Sequence, residues 1–245
     1  MDEFIKSLPK AELHLHLEGT VDAATLVELS RRVDSEPLTL EQAEAVYVYD
    51  DFTGFINAFS TVTKKLVSPS EYELITRRMI EQLAAQGVVH AEVYVSIGEL
   101  FRARKSTPET DDDEYVKTID AIEIARLEGE RKHGVTINWI IDSSRQEGVS
   151  EATRVFHTTE KFRDRYPSVV GIGLGGEVPW RNRVEVDAVR AGFGGERANQ
   201  HDARGIHVHH LGGVGAPWPH AAARSLPIPS TAWSWTNCVS CPPPA

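Results

Sequence analysis

The sequence predicts an α/β protein: a parallel (β/α) barrel carried through about four strand–helix steps, followed by a poorly structured C-terminal tail. Three observations predict it. Strand-like and helix-like segments alternate from Ala11 to Leu174, the order that builds a parallel sheet with helices outside it. The segment Val169 to Leu174 (VVGIGL) is apolar throughout, as a strand buried on both faces must be. Composition then breaks after Glu177: beyond it there is no Lys, Tyr or Met, while Trp180, Trp218, Trp233, Trp235 and most of the prolines crowd in.

The elements follow in order. Ala11 to Leu17 (AELHLHL) alternates in period two and predicts the first strand. Asp22 to Val33 and Leu40 to Val46 have helical spacing. Between Asp50 and Leu66, Phe52, Phe55, Ile56, Phe59, Val62 and Thr63 fall on one helical face. Ser70 to Gln86 reads as a helix with Ser70 as N-cap, Glu73 three residues on and Gly87 at the stop. Val88 to Val95 is the second strand, Asp113 to His133 a long charged helix, and Val135 to Asp142 the third strand. Ser150 to Tyr166, capped by Ser150, precedes the fourth strand.

A closed eight-stranded barrel of the TIM type typically takes about 250 residues. The 68 residues after Glu177 would have to supply four more units, and only Val184 to Ala191 offers a candidate element. The expected organisation is therefore a partial barrel over 1–177 and a divergent tail over 178–245. The break is what a change of reading frame or a gene-model error would leave, and such a tail is expected to be disordered or loosely packed.

Bulk properties exclude several classes. A net charge of -10 repels phosphate backbones and argues against nucleic acid as a partner. No apolar run approaches the ~20 residues of a membrane span. The acidic start Met1-Asp2-Glu3-Phe4 lacks a signal-peptide core, so a cytoplasmic protein is expected. Two cysteines, Cys238 and Cys241, cannot form a disulfide framework, and their C-x-x-C spacing has no second pair to complete a zinc ribbon.

His14-Leu15-His16 carries the chemical signal. Residues i and i+2 of a strand share a face, so the two imidazoles converge, and neutral imidazoles at that spacing make half a ligand set for zinc or iron. Ordinary surface or core histidines are the bland alternative. The pair sits at the C-terminal end of a predicted strand, where barrel enzymes keep their chemistry. His90, His133 and His157 read as structural, and the basic run Arg102, Arg104 and Lys105 as a solvated loop after the second strand. His207-Val208-His209-His210 lies in the tail, where no strand pattern would set it opposite His14 and His16.

The run Leu8-Pro9-Lys10-Ala11-Glu12-Leu13-His14-Leu15-His16-Leu17-Glu18-Gly19-Thr20 resembles the opening signature of the adenosine deaminase family of metal-dependent amidohydrolases. DDFTGFINAF, VVHAEVYVS and VVGIGLGGE lie where that family's next elements fall. The resemblance implies that His14 and His16 are the first two zinc ligands and that His16, Glu18 and Gly176 line the substrate. It implies hydrolytic deamination of a purine nucleoside or base, in which a glycine such as Gly176 lets backbone approach a flat ring. The family's H-x-G-E segment, its later His-Gly strand end and its aspartate pair are not found after Glu177. No catalytic residue is therefore assigned, and the chain is expected to be a truncated, inactive deaminase. The alternative is a non-catalytic remnant that binds a purine, a metal or a partner chain.

Overall fold

The computed structural model describes residues 2–144, 147–175 and 207–210. A short helix α1 (Asp2–Ser7) leads into strand β1 (Lys10–His16) and a 3₁₀ turn at Glu18–Thr20. Helices α2 (Ala23–Val33), α3 (Leu40–Val46), α4 (Phe52–Thr63) and α5 (Pro69–Ala85) then lead to β2 (Val88–Val95). After it come α6 (Ile97–Ala103), α7 (Asp111–His133), β3 (Thr136–Ser144), α8 (Gly148–Phe162), β4 (Val169–Gly175) and β5 (His207–His210). The strands lie in the order β1-β2-β3-β4-β5. The first four are parallel, each joined to the next through helices, which makes them half of a (β/α) barrel.

Local chemistry explains where the helices start and stop. Asp22 caps α2 by accepting from the Thr25 amide at 2.8 Å, and Asp51 does the same for α4 through Gly54. Thr39 and Gln42 form a reciprocal capping box on α3. The acidic run Asp111 to Glu114 opens α7 and Arg131, Lys132 and His133 close it, each end complementing the helix dipole. Gly87 and Gly134 follow α5 and α7 at φ of 74° and 71°, a backbone that a side chain would strain.

Several expectations need correction. Helix α5 starts at Pro69 after Ser68, because proline's fixed φ suits the first helical position, so Ser70 is not its cap. Helix α8 begins at Gly148 with Glu147 before it, not at Ser150. Of the basic run expected in a loop after β2, Arg102 lies on helix α6, and Arg104 and Lys105 follow that helix in a turn. Arg102 is bound to Glu99 and Glu151, and Arg104 lies 3.3 Å from Glu114, so both arginines of the run are engaged by carboxylates. Strand β5 arises within the tail, where no regular element beyond 184–191 was expected; four residues reading HVHH give no periodic signal. It runs antiparallel to β4, pairing Leu174 with His207 and Ile172 with His209. Three strands thus separate it from β1. Residues 184–191 and both cysteines lie outside the described residues.

The core lies between the sheet and its helices. Val93 and Val95 of β2, Ile137, Trp139 and Ile141 of β3, and Ile172 and Leu174 of β4 pack against Ile75, Met79, Ile119, Ile122, Val155 and Phe156. Trp139 is fully buried, and its indole N–H donates to Glu123 at 2.7 Å, so the largest core side chain leaves no polar atom unpaired. Helices α5 and α7 cross closely at Gly129, where an added Cβ would stand 2.7 Å from Ile80. Gly129→Val should destabilise the fold by roughly 1–3 kcal/mol through overpacking. Urea unfolding checks this; a Val variant as stable as the parent would mean the crossing is loose.

Candidate active site

Four strands end at one edge of the sheet, and each contributes there. β1 brings His14 and His16, β2 Tyr94, β3 Asp142, and β4 Gly173 and Gly175. This is the strand edge at which parallel barrels hold their chemistry.

The histidine pair is not delivered by a regular strand. His14 has φ of 75°, and the β1–β2 register shifts between Leu13 and Leu15. A bulge at that point re-aims the His14 ring, and a non-glycine residue in this region stores of the order of 1–3 kcal/mol of strain. The same-face argument from spacing therefore reaches the right neighbourhood by the wrong geometry. The two ring centroids stand 5.5 Å apart. Both rings stack on Tyr94, His14 at 4.6 Å and His16 at 5.0 Å. Phe59 of α4 meets His16 edge-on at 6.4 Å. Helix α4 commits Val62 and Thr63 to the interior while Ile56 stays exposed, so the apolar face expected from 52 to 63 is buried mainly at its C-terminal end.

Electrostatics suit the pair to metal binding. Burial first, and the neighbouring His14 second, pushes His16 down to about 4, so it is neutral at physiological pH with a lone pair to give. Asp142 of β3 is buried, with Oδ2 3.9 Å from His16 Nδ1. Two imidazoles on one edge fit half the coordination shell of a divalent first-row metal. Among the described residues, no group of three or more His, Cys, Asp or Glu gathers to complete such a shell.

Glu18 is placed differently from the histidines. It sits in the 3₁₀ turn, 1 % exposed, and its Oε1 accepts from the Ser96 amide at 2.8 Å, tying the end of β1 to the start of α6. Its Oε2 is buried without a partner among the described residues. Burial pushes its carboxyl up to about 8 against the pull of the backbone hydrogen bonds, so it holds its proton at neutral pH. Gly176 lies outside the described residues. Tyr94 and Asp142 are the site residues that spacing did not reveal, since each is one position in a strand whose partners come from other strands. His90, expected to be structural, pairs its Nδ1 with the Thr136 hydroxyl at 2.7 Å across β2 and β3.

The sequence profile of the adenosine deaminase family matches residues 9–216. This chain belongs to that family. Aminodeoxyfutalosine deaminase from Streptomyces avermitilis is 32% identical over 178 residues, which cover 72% of this chain and 48% of that protein. Adenine deaminase from Rhodopseudomonas palustris is 26% identical over 179 residues, covering 72% and 49%. A zinc-bound amidohydrolase from Burkholderia ambifaria superposes with a TM-score of 0.66 at 24% identity, over 77% of this chain and 50% of that one, and supports the fold. The chain spans about half the length of the curated relatives it matches. The family match extends past Glu177, the point at which the composition breaks.

The bulge generates a prediction. At an ordinary strand position Val is preferred over Gly; at position 14 the order should invert, because an L side chain in the left-handed region costs about 1–2 kcal/mol. The metal-free His14→Gly protein should be more stable than His14→Val in thermal unfolding. The opposite order would mean that β1 runs straight through His14.

Proposed function

We propose that this chain carries the metal-binding half of a purine deaminase site and that the family reaction is hydrolytic deamination of a purine base or nucleoside. The observation that carries the reading is the His14–His16 pair, brought to 5.5 Å between ring centroids at the C-terminal edge of a half-barrel. In this reading both imidazoles hold a zinc ion. When bound, that ion would activate water for attack on the purine carbon bearing the amino group.

The chain's own residues do the rest of what the described half can do. Tyr94 stacks against both rings and fixes their orientation. Phe59 covers His16 from the side and gives a flat heterocycle an apolar edge to lie against. Glu18 and His16 are proposed on the substrate side, with the free Oε2 of Glu18 as the atom that would pair with a substrate hydroxyl or ring nitrogen. Gly176 is proposed as the point where backbone approaches the ring. The relatives named above act on adenine and on aminodeoxyfutalosine, which supports a purine-like substrate and leaves its second substituent open between base and nucleoside.

A second reading has its own support, because no third ligand is gathered among the described residues. In that reading the chain binds a metal or a purine without turning it over. One experiment separates the two: zinc content together with ammonia release from adenine, adenosine and aminodeoxyfutalosine. Zinc that is lost in both His14→Ala and His16→Ala, with turnover in the parent, supports the deaminase. Zinc held through the same histidines with no turnover supports the binding remnant. Zinc that survives both substitutions overturns the assignment of the pair.

A further inference from the structure

We infer that Asp142 is a positioning residue for His16, its carboxylate facing Nδ1 and orienting the ring so that Nε2 is the nitrogen offered to a cation. The inference rests on the metal-binding reading of the pair and extends it to a residue on another strand.

Three observations carry it. Asp142 is buried at the C-terminal end of β3 with its Oδ2 3.9 Å from His16 Nδ1, about 1 Å beyond a typical N–H···O hydrogen bond of about 2.9 Å. Strand β4 is cut away to admit it: a Cβ on Gly173 would lie 2.9 Å from Asp142 Oδ1, and one on Gly175 would lie 3.2 Å from Oδ2. The same Gly173 Cβ would lie 2.8 Å from Tyr94 Cε1, so one small residue makes room for both the carboxylate and the stacking platform. Neither glycine has a positive φ, so side-chain space rather than backbone conformation explains them. A buried acid with a hollow kept open for it, on the Nδ1 side of a metal-type histidine, is the arrangement that fixes imidazole tautomer and ring orientation elsewhere.

The test uses the whole chain. Nitrogen-15 NMR of the metal-free protein, with His16→Gln to assign the ring, reports which nitrogen carries the proton. The parent should hold the proton on Nδ1. Asp142→Ala should lose that preference, Asp142→Asn should keep part of it, and Gly173→Ala should disturb it from the β4 side. Zinc affinity, read by competition with a coloured chelator, should weaken about 10–100-fold in Asp142→Ala. Far-UV circular dichroism identifies any variant that fails to fold, and Asp142→Asn then carries the test. An unchanged tautomer in a folded Asp142 variant overturns the inference, even if zinc binding weakens, because Asp142 would then be touching the metal itself. A tautomer shift in a chain whose parent binds no zinc supports the orienting role and overturns the metal reading alone.

Discussion

The Tyr94 ring lies against both His14 and His16, and the arrangement of the sheet's C-terminal edge depends on that contact. Beside that ring β4 presents Gly173, where an added Cβ would lie 2.8 Å from Tyr94 Cε1 and collide with it. The bulge at His14 belongs to the same constraint. Without it His14 would follow the regular register of β1 past β2, and the strained backbone is what turns its ring onto Tyr94. Strain, stacking and missing side chains on three strands are thus one packing problem with one solution.

The scaffold that supports this edge is built from ordinary parts. The outer face of the sheet is apolar and continuous with the helices, as a parallel sheet requires. Its largest polar exception, the Trp139 indole N–H, is paired with Glu123. The inner face is different in kind, with His90, Glu92, Asn138 and Asp142 along β2 and β3. Polar chemistry is therefore concentrated where the barrel axis would run and kept out of the core that stabilises the fold. Glu18 sits between these regimes. Its carboxyl is buried and bound to the Ser96 amide, so it ties the loop after β1 to the helix after β2, and its second oxygen is buried without a partner among the described residues.

The chain belongs to the adenosine deaminase family, and the matched segment covers about half the length of its relatives. Four parallel strands bring two imidazoles, an aromatic platform and a buried acid to one edge. In a closed eight-stranded barrel four further strands would complete the ring. Strand β5 does not stand in for one of them in sequence of direction, since it runs antiparallel and joins β4 rather than β1.

By itself the sequence determined the four parallel strands, the main helices between them and the histidine pair. Each is written in a local pattern: period two in β1, unbroken apolar runs in β4, helical spacing in α2 to α5. What only the tertiary structure decided is what several strands do together. The bulge at His14 is invisible in a run that alternates perfectly, because a register shift is a property of two strands. Tyr94, Asp142 and Gly173 are single residues spread over 80 positions, with no spacing to link them until β2, β3 and β4 lie side by side. Helix α6 escaped because its charges suggest a loop, whereas Arg102 and Arg104 find carboxylates on α6, α7 and α8 only after those helices pack. Local periodicity encodes elements; contact between elements encodes the site.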